Sequence, residues 1–90
     1  MNKQAAIVVV SGRVQGVGFR YYTKQKACEL GVFGYVKNNP DGSVTIEAEA
    51  ELEQLVEFVL WCQKGPQWAR VTDFKITDTM PVGYILFEIR

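Results

Sequence analysis

Residues 7–20 read Ile-Val-Val-Val-Ser-Gly-Arg-Val-Gln-Gly-Val-Gly-Phe-Arg, and this stretch decides the fold. Its apolar, β-branched beginning is typical of a strand in the middle of a sheet, and we predict a strand over residues 5–11. Three glycines within residues 12–18 predict a loop whose backbone takes unusual dihedral angles or approaches another group closely. A helix follows from Phe19 to Leu30, because small or apolar side chains recur there at spacings of four, four and three residues.

Beyond that helix the chain alternates between strand-like and helix-like patterns, separated by turn-forming residues. Two helices against one mostly antiparallel sheet predict an α+β fold, the ferredoxin-like βαββαβ sandwich, with both helices on one face. We expect residues 1–90 to form a single domain. The remaining predicted elements are a strand over 32–38, a turn over 39–42, a strand over 44–49, a helix over 51–64, and strands over 71–76 and 84–89.

The composition is that of an ordinary folded domain: 90 residues, 48% hydrophobic, 22% charged and no net charge. The charge is unevenly distributed, since residues 1–40 carry six basic side chains and one acidic one, and residues 41–90 carry four and nine. A local cationic cluster in a neutral protein fits a small anion better than a nucleic acid. Alternatively, the fold brings the basic and acidic segments together, so that the uneven charge along the sequence leaves no cationic cluster on the surface. We interpret the acids Glu47, Glu49 and Glu51 as a solvated strand face and helix start.

The absence of histidine and the two cysteines, Cys28 and Cys62, limit the chemistry. Imidazole metal sites, a Cys₄ zinc site and nucleophiles that depend on a histidine base are excluded, and we expect no metal and no cofactor. The two thiols are either a reduced pair, as is usual in the cytosol, or one disulfide.

The beginning of the chain lacks the features of a targeting segment. Its apolar run is too short for a signal peptide and ends at Ser11-Gly12-Arg13, and no stretch approaches the ~20 apolar residues of a membrane span. We therefore expect a soluble, cytoplasmic, monomeric protein.

The glycine loop is the first candidate site. It precedes a predicted helix, and amide groups at a helix N-terminus bind anions. Its spacing, G-x₃-G-x-G, is neither the dinucleotide-binding fingerprint nor a Walker loop. The alternative is that the loop is only a tight structural turn. Arg20 follows in the first helical turn, where a cation opposes the helix dipole unless it faces a bound anion; otherwise it is a surface arginine. Asn38, before the turn at Pro40, either holds a water molecule or initiates that turn.

Two segments resemble the signature motifs of the acylphosphatase family. Residues 10–20 are similar to the first signature and residues 34–44 to most of the second, while the ending Phe87-Glu88-Ile89-Arg90 is similar to that family's C-terminus. The resemblance spans nearly the whole chain. It implies the ferredoxin-like fold and hydrolysis of the carboxyl–phosphate bond of acyl phosphates, giving a carboxylate and inorganic phosphate.

The resemblance also implies roles for individual residues. Arg20 would hold the substrate phosphate, Asn38 would orient the attacking water, and the loop of Gln15, Gly16, Val17, Gly18 and Phe19 would cradle the phosphate. Two positions depart from the family pattern: Asn39, where many members have threonine, and Ala50, where the second signature usually ends in glycine. If that glycine takes a positive φ, Ala50 is strained; otherwise it is an ordinary strand residue.

Two other functions remain open from the residues alone. Domains that bind RNA share this topology, and residues 32–36 faintly resemble their aromatic strands, but the acids near the third strand would repel phosphates and we expect no nucleic-acid or membrane partner. The second alternative is a non-catalytic acylphosphatase-like module that acts through a partner protein.

Overall fold

Two helices and five strands make up residues 2–90, the part of the chain that the computed structural model describes. The predicted ferredoxin-like α+β fold and the order of its elements are confirmed. Met1, the first residue of the predicted domain, lies outside the described residues. The elements are β1 (Lys3–Arg13), α1 (Phe19–Leu30), β2 (Phe33–Asn38), β3 (Val44–Glu51), α2 (Leu52–Lys64), β4 (Arg70–Thr79) and β5 (Phe87–Ile89).

The strands form one sheet in the order β4-β1-β3-β2-β5. β1 pairs antiparallel with β3 and β4, β2 pairs antiparallel with β3, and β5 lies parallel to β2. Val8, in the middle of β1, faces Ile46 of β3 and Ile76 of β4. The parallel pair brings the end of the chain beside the end of β2, although most of the fold separates them in sequence.

Both helices cover the same face of the sheet. α1 packs on β2 and β5, while α2 packs on β1, β3 and β4. The rings of Phe19 in α1 and Trp61 in α2 meet with their centroids 6.0 Å apart. The predicted stripe of α1 is buried at Phe19, Thr23 and Ala27, and its last member, Leu30, is half-buried. Alternate residues of β1 such as Val8 and Val10 fill the layer between helices and sheet. The opposite face of the sheet carries no helix among the described residues.

The last two strands differ from the prediction in length. β4 is longer than residues 71–76, because it pairs along β1 as an edge strand and needs little hydrophobic alternation to do so. β5 is shorter than residues 84–89, because the backbone of residues 82–84 hydrogen-bonds to a side chain of β3 instead of to β2.

That side chain is Glu49, and its predicted place on a solvated strand face is wrong. Glu49 is fully buried, and its carboxylate accepts the N–H groups of Val82, Gly83 and Tyr84 at 2.5, 3.1 and 3.2 Å. The alternation of β3 correctly places Glu49 on the face away from the helices. The irregular segment of residues 80–86 crosses that face and covers it, which no local pattern foretells.

The structure also describes the two cysteines, the backbone at Ala50 and the length of the helices. Cys28 is exposed, Cys62 is buried and no disulfide joins them; burial raises the pKa of the Cys62 thiol. Ala50 is buried within β3, and within residues 2–90 only glycines have a positive φ, so Ala50 is not strained. None of the helices in the described part of the chain is long and apolar enough to cross a membrane.

Candidate active site

The glycine loop curls between the end of β1 and the start of α1. Gly16 and Gly18 have φ values of 76° and 80°, which favour glycine, and a Cβ on Gly18 would lie 3.2 Å from the ring of Tyr22. Gly18 caps α1, whose first turn closes with the bond from Tyr22 N–H to the Gly18 carbonyl at 3.0 Å. The amides between these two residues have no partner within the helix, so they are available to an anion outside it.

Gln15 fastens this loop to the β2–β3 turn. Its side-chain amide donates hydrogen bonds to the main-chain carbonyls of Asn39 at 2.8 Å and Ser43 at 2.9 Å. Asn39 itself donates from its side chain to the hydroxyls of Ser43 and Thr45 at 2.9 and 2.8 Å. The loop and the residue next to Asn38 are therefore held at a fixed separation.

Arg20 lies in the first turn of α1, half-buried, in a turn that contains no acidic residue. Its guanidinium donates one hydrogen bond, of 3.2 Å, to the main-chain oxygen of Arg90. A guanidinium has five N–H groups, so this bond fixes its orientation and leaves donors for an anion. No Asp or Glu side chain in residues 2–90 pairs with it.

Asn38 is the last residue of β2 and faces Val44 of β3. Because residues two apart in a strand share a face, Asn38 lies on the same side as the buried Val36, which is the side of the helices. Its amide is half-buried and hydrogen-bonds to no other side chain within residues 2–90. Both its acceptor and its donors are therefore open to the pocket beside the start of α1.

A pocket of about 220 Å³ joins these pieces. It unites five of the seven site residues proposed from the sequence, namely Arg20, Asn38, Gly16, Gly18 and Phe19. The other two do not line it: Gln15 braces the loop, and Val17 packs against the core. Its remaining lining is Val14, Tyr21 and Ile89.

The end of the chain also lines the pocket, a role that no sequence pattern assigns to it. Ile89 faces Val36 in the parallel β2–β5 pair, which puts it on the helix side next to Asn38. Arg90 donates its N–H to the Val36 carbonyl at 2.8 Å, and its guanidinium lies 4.3 Å from the centre of the Tyr35 ring. The only sequence signal for this is the similarity of the final four residues to the family's C-terminus.

Two glutamates hold the segment that leads to β5. Glu49 accepts the three backbone N–H groups described above, and Glu47 accepts the hydroxyl of Tyr84 at 2.8 Å. Burial and the hydrogen bond to Glu47 raise the pKa of Tyr84 to about 12, so its hydroxyl remains a donor at neutral pH. Both contacts fix the path of the chain toward Ile89 and Arg90.

A second cleft of about 290 Å³ lies between α1 and the segment after α2, lined mainly by Tyr22, Trp61 and Trp68. Neither Arg20 nor Asn38 borders it, so it is separate from the pocket described above. Within residues 2–90, no three His, Cys, Asp or Glu side chains come together as a metal-binding group.

Comparison with known proteins identifies the class to which this fold and pocket belong. The family model described as Acylphosphatase matches residues 6–89. An acylphosphatase of Thermotoga petrophila is 47% identical over 87 residues, 97% of each chain, and one of Vibrio cholerae is 42% identical over 90 residues, 99% of each chain. The crystal structure of acylphosphatase from Bacillus subtilis has a TM-score of 0.93 and 38% identity, covering 97% of this chain and 98% of that one. The chain belongs to the acylphosphatase family and is an enzyme of that family.

Proposed function

We propose that this enzyme hydrolyses acyl phosphates in the pocket between the glycine loop, Arg20 and Asn38. A water molecule attacks phosphorus, the bond between phosphorus and the acyl oxygen breaks, and the carboxylate leaves with the bonding electron pair. The water transfers a proton to the phosphate oxygens or to solvent, and inorganic phosphate is the second product. The observation that carries this proposal is that a single pocket contains a helix N-terminus, a guanidinium and an unpaired amide side chain.

The phosphate is held by Arg20 and by the amides at the start of α1. An arginine offers parallel N–H groups that match two phosphate oxygens, and helix N-terminal amides add donors and a favourable dipole. The bond from Arg20 to the main-chain oxygen of Arg90 keeps the guanidinium at the mouth of the pocket before substrate binds. Phosphoryl transfer depends mainly on such positioning and charge stabilisation.

Asn38 holds the attacking water. Its side-chain oxygen accepts a hydrogen bond from water and its NH₂ group donates one, which together orient a lone pair toward phosphorus. A strong base is not required, because the carboxylate leaving group has a low pKa and departs without a general acid. The acyl group of the substrate faces the less polar part of the lining, which consists of Val14, Tyr21 and Ile89.

The test is hydrolysis of benzoyl phosphate by the wild-type chain and by Arg20→Ala, with excess chelator present. We expect turnover by the wild type, with chelator having no effect, and loss of nearly all activity in Arg20→Ala. Arg13→Ala is the matched control, because Arg13 is an exposed arginine at the end of β1 that does not line the pocket. Equal activity of the two arginine variants would refute the assignment.

The alternative function, that of a nucleic-acid-binding domain, is supported less well by the open face of the sheet. An RNA-binding domain of this topology reads bases on the open face of its sheet. Here that face carries Glu47 and Glu49, and the segment of residues 80–86 crosses it. Both features oppose the binding of a polyanion there.

A further inference from the structure

An open groove adjoins the pocket between the glycine loop, Arg20 and Asn38. It has a volume of about 690 Å³, and among the described residues it is lined by Tyr21, Lys24, Gln25, Cys28, Glu29 and Ile89. Tyr21 and Ile89 line the smaller pocket as well, so these two side chains stand where one space meets the other. A substrate whose phosphate lies at Arg20 and the start of α1 can therefore extend past Tyr21 and Ile89 into the groove.

The groove runs along the flank of α1 that faces β5. Arg20, Lys24 and Cys28 recur every four residues, so they follow one another along the same flank of the helix. α1 packs against β5, and Ile89 of β5 lines the groove together with Lys24 and Cys28. Lys24 therefore lies one helical turn from Arg20, and the Cβ atoms of residues so placed are about 5–6 Å apart.

Lys24 supplies the groove with an uncompensated positive charge. Its side chain is exposed, and no hydrogen bond or ion pair engages its ammonium group within residues 2–90. The other charged side chain of the described lining, Glu29, accepts a hydrogen bond from the Lys26 ammonium at 3.1 Å, so its charge is already compensated. The groove therefore favours a bound molecule that brings an anionic group to Lys24.

Tyr21 is held in place at the entrance of the groove. Its hydroxyl accepts a hydrogen bond of 3.0 Å from the side-chain amide of Gln25, one turn further along α1. Its ring also meets the ring of Tyr22 edge-on, with the centroids 5.1 Å apart. Together with Ile89, which is 42% exposed, the Tyr21 ring offers apolar surface to the carbon atoms between the two ends of a ligand.

We propose that this groove binds the acyl group of the substrate and that Lys24 binds a second carboxylate carried by that group. The assignment rests on the proposed function, since Arg20 must hold the phosphate for the acyl group to reach Lys24. Acyl phosphates of dicarboxylic acids have an anion at each end, and these two anions match the cations Arg20 and Lys24 on one flank of α1. Lys24 does not contact the reacting atoms, so it determines specificity and takes no part in bond breaking.

A matched pair of substrates tests this role of Lys24. The compound meta-carboxybenzoyl phosphate carries a second carboxylate on a rigid ring, and meta-carbamoylbenzoyl phosphate carries an uncharged amide of similar shape. The ratio of their kcat/KM values measures the preference for charge, and dividing the wild-type ratio by that of a variant removes the intrinsic reactivity of the two compounds. The variants are Lys24→Gln and Lys24→Glu. Lys75→Gln, at an exposed position of β4 on the far edge of the sheet, is the control with the same loss of charge as Lys24→Gln.

We expect Lys24→Gln to lose about three- to fivefold of the wild-type preference for the carboxylate, Lys24→Glu to lose more, and Lys75→Gln to keep it. The change should lie in KM and not in kcat, since an ion pair at the far end of the substrate is the same in the ground and transition states. Added sodium chloride should weaken the preference of the wild type.

Two kinds of failure can be told apart. Hydrolysis of both substrates with equal ratios for the wild type and the two Lys24 variants, or with an equal loss in Lys75→Gln, would overturn the role of Lys24 and leave the proposed function standing. Hydrolysis of neither substrate by the wild type would overturn the proposed function and the role of Lys24 with it.

Discussion

The side-chain amide of Gln15 donates a hydrogen bond of 2.8 Å to the main-chain carbonyl of Asn39, the residue directly after Asn38. The bond joins the glycine loop to the strand end that carries Asn38. A second bond from the same NH₂ group, to the carbonyl of Ser43, completes the brace. One half of the pocket comes from the β1–α1 loop and the other from the β2–β3 hairpin, and this brace sets the distance between them.

Gln15→Glu should damage both stability and activity. The substitution replaces an NH₂ donor by a carboxylate oxygen that faces two carbonyl oxygens, and leaving such acceptors unpaired costs about 1–3 kcal/mol. We expect a lower melting temperature and a lower kcat/KM for benzoyl phosphate. Gln67→Glu, at an exposed position after α2, should change neither. A Gln15→Glu enzyme with wild-type stability and turnover would show that the brace is dispensable.

Ala50→Gly should destabilise the protein. Ala50 is buried in β3 with an ordinary backbone conformation, so glycine adds about 0.5–1 kcal/mol of entropic cost and relieves no strain. Ala48→Gly, at a buried position two residues earlier on the same strand, should lower the melting temperature to a similar extent. If Ala50→Gly raised the melting temperature while Ala48→Gly lowered it, Ala50 would have to be strained after all.

Tyr84 should make stability depend on pH at the alkaline end. Its pKa rises from 10.0 to about 12 in the folded protein, so above pH 10 the unfolded chain loses a proton that the folded chain keeps. Here the folded state binds more protons, and stability therefore falls with pH; the contribution of Tyr84 is complete below pH 10 and is lost as pH approaches about 12.

Thermal melts between pH 9 and about 12 test this titration of Tyr84. The melting temperature of Tyr84→Phe should fall less steeply with pH than that of the wild type, because the variant lacks the titrating hydroxyl. Parallel slopes for wild type and Tyr84→Phe would contradict the account.

The parts of the site that lie close together in sequence could be predicted. The glycine loop, the first-turn Arg20 and the strand-end Asn38 each have a local signal in spacing, helix polarity or turn chemistry, and the resemblance to the acylphosphatases connects them. The structure brings all three to one pocket. Local patterns also place the two helices to within a residue or two, because both carry a regular buried stripe.

The parts that depend on distant pairing could not be predicted. Ile89 and Arg90 reach the pocket only because β5 lies parallel to β2, and no short-range pattern encodes that pairing. The burial of Glu49 has the same origin, since its three donors lie more than thirty residues away and belong to an irregular segment. A strand pattern assigns a side chain to one face of a sheet but does not reveal which loop will cover that face.

The division of labour between Arg20 and Asn38 is the central claim, and it can be tested with phosphate as the probe. We propose that Arg20 holds the phosphate in the ground state and the transition state, so Arg20→Ala should weaken inhibition by inorganic phosphate and reduce turnover together. Arg20→Lys should rescue little, because a point charge does not reproduce the paired donors. Arg13→Ala and Asn2→Ala, at exposed positions, are the matched controls and should behave as the wild type.

The most direct measurement is the inhibition constant of inorganic phosphate in Asn38→Ala, taken alongside its kcat for benzoyl phosphate. If Asn38 orients only the water, as we propose, kcat should fall by about 10²–10³, as when one preorganised polar group is lost, while the inhibition constant stays near that of the wild type. If Asn38→Ala kept near-normal turnover, or lost phosphate affinity as severely as Arg20→Ala, Asn38 would not be the residue that holds the attacking water.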